Sequence, residues 1–92
     1  MLKNNLDLKF LEEITNAFGP SGHENDVQKL IKNYGEPYAD EILTDKMGSL
    51  IFKRGIQGPK VMLAGHIDEI GYIVAAIESN GMLKISNLGG VF

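Results

Sequence analysis

The sequence contains no cysteine and no tryptophan, and it has only two histidines. Without cysteine there is no disulfide scaffold and no thiolate metal site, so any metal would have to be held by imidazole and carboxylate groups. Nine basic residues against twelve acidic ones give a net charge of −3, and no run of Lys or Arg is long enough to follow a phosphate backbone. Nucleic acid is therefore not an expected partner. Apolar runs such as residues 72–77 fall far short of the roughly 20 residues that a membrane-spanning helix needs. The opening "MLKNNLDLKF" also lacks the apolar centre of a signal peptide. These absences lead us to expect a cytoplasmic protein with no membrane contact.

What remains is a short chain of ordinary globular composition. Hydrophobic residues make up 43% of its 92 positions and charged residues 23%, which argues against wholesale disorder and leaves room for one core at most.

Asp7 reads as an N-cap, with Leu6 and Leu11 forming a hydrophobic staple. Phe10, Leu11, Ile14, Ala17 and Phe18 then mark the apolar face of a helix over residues 8–18, which stops at Gly19-Pro20. Ser21 and Glu24 have the spacing of a capping box. Val27, Leu30, Ile31 and Tyr34 follow at i, i+3, i+4 and i+7, which predicts a second amphipathic helix ending at Gly35.

After Gly35 the pattern changes to short runs bounded by turn residues. Residues 41–44 and 49–53 flank "DKMG" as a hairpin, and "RGIQGP" is a polar connector. Residues 61–64 are continuously apolar, as in a central strand covered on both faces. Residues 71–77 and 82–86 surround "ESNG" as a second hairpin. There is no internal repeat or low-complexity segment. The expected class is α/β, with helices packing on a mixed sheet. Gly89-Gly90 reads as a turn leading onward with only two residues after it, so the chain gives the impression of being cut short.

Chemistry concentrates where the predicted central strand ends. Ligands in open α/β sheets bind at carboxyl ends of strands, and His66 lies at such an end. Side chains two apart on an extended chain share a face, so His66 and Asp68 can enter one crevice, the carboxylate taking one ring N–H and leaving the other nitrogen for a cation. Spacing alone favours an exposed or hydrogen-bonded histidine over a ligand. A catalytic zinc takes three protein ligands plus water, and a two-metal site needs more. The other histidine, His23, reads as a solvated residue near the start of helix two, and Asp40, Glu41 and Asp45 read as solvated turn and strand-end residues.

Other chemistries fail on geometry. "GPSG" lacks the Gly and Lys spacing of a phosphate loop and reads as a turn leading into a helix. Ser21 and His23 lack a third group to orient the base of a nucleophilic pair. Asp68 and Glu69, as neighbours on an extended strand, point to opposite faces and cannot grip one glycosidic linkage between them. Phe10, Phe18, Phe52 and Tyr72 read as core residues, with no aromatic ladder for bases or sugars.

"AGHIDEIGYIV" at residues 64–74 and "GPSGHENDV" at residues 19–27, with "DKMGSLIF" between them in the same order, resemble the start of the dinuclear-metal aminopeptidases of metallopeptidase family forty-two. This family includes glutamyl, deblocking and tetrahedral aminopeptidases, and relatives are often labelled endoglucanase or cellulase M. Gly89-Gly90 resembles the family's double glycine. The resemblance implies that His66 is a metal ligand and that Asp68, the candidate catalytic-site carboxylate, orients it, with Glu69, Ile70 and Gly71 completing the motif. It also implies two divalent ions, zinc or cobalt, a peptide substrate and a homo-oligomer. Residues 1–69 would begin a metal-binding catalytic domain of the zinc-exopeptidase type, and residues 70–92 would begin an inserted β domain. The family's bridging aspartate, general-base glutamate and remaining ligands lie downstream of that insert, beyond this chain. The expectation is thus the N-terminal portion of an aminopeptidase that is inactive alone; the rival is a non-catalytic interaction module that self-associates through its sheet edges.

Overall fold

The structure, a computed structural model, describes residues 5–91, with side chains from Asp7 onward. The expected Leu6–Leu11 staple lies outside the described residues because it needs the Leu6 side chain. In chain order the elements are α1 (Asn5–Asn16), α2 (Asn25–Gly35), a 3-10 turn (Glu36–Tyr38), β1 (Glu41–Thr44), β2 (Leu50–Lys53), β3 (Gly71–Ile77) and β4 (Leu83–Leu88).

Asp7 does not cap α1 as expected; it lies inside the first turn, where a carboxylate complements the positive end of the helix dipole. It also accepts a hydrogen bond from the Tyr34 hydroxyl at 2.7 Å, which raises the Tyr34 pKa above its ordinary value, the hydrogen bond being the largest cause. The Phe10 and Tyr34 rings stack at 3.7 Å with planes 9° apart, so the two helices meet through an aromatic pair as well as a polar one. Helix α1 stops short of the predicted Phe18. The Asn16 amide donates to the Glu12 carbonyl at 2.9 Å, satisfying one of the acceptors that the last turn leaves open.

Helix α2 also begins later than the Ser21 capping box implied. Its N-cap is Glu24, and residues 20–23 form a tight turn closed by the His23 N–H on the Pro20 carbonyl at 2.8 Å. Gly22 takes φ 86° within that turn, a conformation incompatible with helix, so the helix cannot start until the turn is complete. The Glu24 carboxylate reaches back to the Gly22 N–H at 2.7 Å. Val27, on the apolar face of α2, is the one buried hydrophobic residue among those described, at 4% exposure.

Both predicted hairpins form, and both are antiparallel. Strands β1 and β2 pair from Glu41↔Lys53 to Thr44↔Leu50. Strands β3 and β4 pair from Gly71↔Leu88 to Ile77↔Leu83, with a bulge between Val74 and Ala76. The first turn is organised by Asp45, whose carboxylate accepts the N–H groups of Ser49 at 2.8 Å and Met47 at 2.9 Å. These bonds, with Ser49 foremost, hold the Asp45 carboxyl below its usual range. A carboxyl lowered in the folded state stabilises the fold above the ordinary unfolded value, near pH 4, and that contribution fades as pH falls through the lower native value. Acid titration followed by NMR is therefore expected to loosen residues 45–49 below about pH 4. Asp45→Ala should remove this acid-dependent component and loosen the turn at neutral pH; an unchanged acid profile would contradict the assignment.

The α/β class expected from the sequence holds, as two helices with two small antiparallel sheets and one parallel bridge between Pro20 and Glu69. Other expectations need correcting. Residues 61–64 form no strand, and Val61, Met62 and Leu63 are 84%, 88% and 94% exposed. A strand exists only where another strand takes its backbone hydrogen bonds, and among the described residues no strand lies beside this segment. Phe18 and Tyr72 are likewise exposed rather than core, and Phe52, although packed against Gly35, is exposed over more than a third of its surface. The radius of gyration is 17.4 Å, against about 12 Å for a compact domain of this length. The apolar faces are present, but these residues do not supply the surfaces that would cover them. Among the described residues no helix is long and apolar enough to cross a membrane.

Candidate functional site

Two loops far apart in sequence meet at one place. The Glu69 N–H donates to the Gly19 carbonyl at 2.9 Å, and Pro20 and Glu69 form the parallel bridge. This joins the turn ahead of α2 to the loop that follows the extended residues 61–65. The Gln28 side-chain amide donates to the Gly48 carbonyl and draws the β1–β2 turn against the same end of α2. Between the three segments is a cleft of ≈ 240 Å³ whose walls include Glu24, Gly48, Ser49, Gly65, His66 and Asp68.

His66 and Asp68 face each other within this irregular loop. The His66 Nδ1 atom lies 3.0 Å from the Asp68 carboxylate Oδ1 and 3.0 Å from the Asp68 carbonyl oxygen. Both oxygens are acceptors when the carboxylate is ionised, so Nδ1 must carry the proton, and in a neutral ring the lone pair then sits on Nε2. The His66 side chain is 87% exposed and that of Asp68 37%. Chemically, this is an imidazole held in one tautomer by a carboxylate, with its basic nitrogen left open.

The remaining candidates do not join this pair. His23 is exposed and lies in the turn closed by its own N–H. Asp40 accepts the Gly55 N–H at 2.7 Å, Glu41 pairs with Lys53 at 2.8 Å, and Asp45 serves its own turn, so all three, expected as solvated residues, have local structural partners instead. Among the described residues, no group of three or more His, Asp and Glu side chains could hold a metal ion. The donors present fit one ligand position with its orienting carboxylate, not a whole metal site. Sequence reasoning did not place Glu24 or Ser49 on the cleft. Glu24 was legible only as a helix-start residue, and no spacing rule connects it to a histidine 42 positions away (66 − 24).

A similar helix-and-hairpin α/β segment also occurs in known proteins. Residues 48–92 match the family described as M42 glutamyl aminopeptidase. The structure superposes with a TM-score of 0.88 and 42% identity on a TET aminopeptidase from the marine sediment archaeon Thaumarchaeota archaeon SCGC AB-539-E09, covering 96% of this chain and 25% of that one. It superposes with a TM-score of 0.77 and 37% identity on a protein titled endoglucanase from Thermotoga maritima, covering 88% of this chain and 27% of that one. In sequence it is 34% identical over 87 residues to the lysyl aminopeptidase of Pyrococcus furiosus, covering 94% of this chain and 25% of the relative. It is 35% identical over 85 residues to FrvX of Escherichia coli, covering 92% of this chain and 24% of the relative.

Residues 48–92 thus match the M42 family model, and the resemblance recognised from the motifs is borne out by similarity in sequence and in fold. The chain spans about a quarter of the length of the relatives it matches. M42 is a family of metallopeptidases, so divalent metal chemistry accompanies the resemblance.

Proposed function

We propose that this chain is the N-terminal portion of a cytoplasmic, metal-dependent aminopeptidase that assembles as a homo-oligomer and removes N-terminal residues from peptides. The observation that carries this reading is the His66–Asp68 pair, with Nδ1 engaged 3.0 Å from the carboxylate on the wall of a cleft. In this reading Asp68 fixes the tautomer and plane of His66, and His66 offers Nε2 to one ion of a dinuclear zinc or cobalt centre. When bound, such ions supply Lewis acidity and lower the pKa of a bound water. The other ligands and the proton-shuttling glutamate come from outside these 92 residues. A boundary near residues 69–70 belongs to the same proposal; it is supported by the β3–β4 hairpin, which packs mainly on itself.

Peptide rather than glycan chemistry is favoured because the carboxylates among the described residues that line the cleft are Glu24 and Asp68, and both are engaged, Glu24 by the Gly22 N–H and Asp68 by the imidazole. The full-length protein should release the chromophore from aminoacyl anilides. A chelator should abolish that activity, and added zinc or cobalt should restore it. Hydrolysis of carboxymethylcellulose without anilide turnover would overturn the assignment.

For the 92 residues alone a second reading has its own support. Their exposed Val61–Leu63 run and unpaired strand edges describe a catalytically silent segment that self-associates.

A further inference from the structure

Where the two loops meet, each side has a glycine at the point of contact. A Cβ on Gly19 would lie 2.9 Å from Cγ1 of Val27, and a Cβ on Gly71 would lie 3.0 Å from Cβ of Pro20. Neither glycine has a positive φ, so neither is needed for a left-handed conformation; what matters at both positions is the missing side chain. Nor can the neighbours easily move away. Val27 is buried and β-branched, with a restricted rotamer, and Pro20 is a buried ring of fixed φ.

We infer that Gly19 and Gly71 are positioning residues, which let the Pro20 turn close onto Glu69 and so hold the loop that carries His66 and Asp68 against α2. The Gly19–Glu69 hydrogen bond, with the parallel Pro20–Glu69 bridge beside it, ties residues 56–70 to the turn ahead of α2. The preceding residues 61–63 are almost wholly exposed and unpaired. The His66–Asp68 bond is internal to its loop and fixes the ring relative to Asp68, but it does not place the pair relative to Glu24 and Ser49 across the cleft. That placement comes from the glycine-lined clasp. Pushing Gly19 away from Val27 breaks the contact with Glu69 and releases the pair from the cleft.

This inference rests on the proposed role of His66 as a metal ligand, and the experiment separates the two. In the full-length protein, zinc affinity is measured by equilibrium dialysis, and exchange of the Glu69 amide by hydrogen–deuterium exchange. Gly19→Ala is expected to weaken zinc about tenfold or more, the scale seen when groups that orient a ligand are lost, and to speed exchange at Glu69. Val27→Ala alone should leave zinc affinity within about threefold, since it touches no ligand. Adding Val27→Ala to Gly19→Ala removes the clashing Cγ1 and leaves Val27 Cβ at 3.4 Å, so most of the affinity and protection should return.

A general loss of stability would not be rescued by a second, core-thinning substitution. Should Gly19→Ala fail to accumulate, Gly71→Ala, with the milder clash, gives the same two readouts. If a glycine variant keeps both the parent's zinc affinity and its Glu69 protection, or if the double variant binds no better than Gly19→Ala, the inference is overturned. If instead His66→Ala leaves zinc binding unchanged in the parent, it is the proposed function that fails.

Discussion

His66→Ala in the full-length protein is expected to lose the metal at the site it serves and, with it, aminopeptidase turnover. A catalytic zinc typically rests on three protein ligands, so deleting one leaves a site that no longer retains its ion. The loss in affinity should exceed the 10–100-fold range typical of removing an orienting partner. Asp68→Asn provides the graded comparison. An amide presents its oxygen to Nδ1–H less strongly than a carboxylate does, and it can also turn its NH2 toward the ring, so the preferred tautomer is weakened but the ligand stays. Metal affinity in Asp68→Asn should fall by roughly 10–100-fold, short of the collapse in His66→Ala. Metal content by plasma emission and anilide turnover on the same preparations check both. Full metal and activity in His66→Ala would remove the assignment.

The second large effect concerns the 92-residue chain by itself. We expect no measurable aminoacyl-anilide turnover and no tight stoichiometric zinc, because among the described residues no three metal-binding side chains converge. We also expect the purified chain to self-associate with rising concentration, seen in sedimentation velocity. Val61, Met62 and Leu63 are exposed at 84%, 88% and 94%, and an extended apolar segment with unpaired backbone groups is a template for strand addition. A monomer that binds zinc stoichiometrically and turns over substrate would contradict this picture.

Local structure was legible in the sequence wherever a short-range rule was enough. The hairpins around "DKMG" and "ESNG" formed because Asp45 and Asn80 bond the turn N–H groups and Gly48 and Gly81 take positive φ, which are properties of four or five neighbouring residues. The pairing of His66 with Asp68 was legible from their two-residue spacing, although the strand expected to end there does not form. Helix starts were less legible. Asp7 and Ser21 both match capping rules, but Asp7 is engaged by Tyr34, 27 positions away, and Ser21 lies in a turn set by Pro20 and Gly22. The central strand was misread for a related reason. A continuous apolar run reports that a segment prefers to be covered, not that this chain contains the cover. The convergence of Gly19, Glu24 and Glu69 is a tertiary contact with no sequence period.

The most direct test of the central claim is an anomalous-difference map of the full-length protein crystallised with zinc or cobalt. The account predicts a peak about 2.0–2.1 Å from His66 Nε2, with Nδ1 still bonded to the Asp68 carboxylate. A fully occupied metal centre with His66 outside coordination distance, or a His66 ring turned away from Asp68, would contradict it.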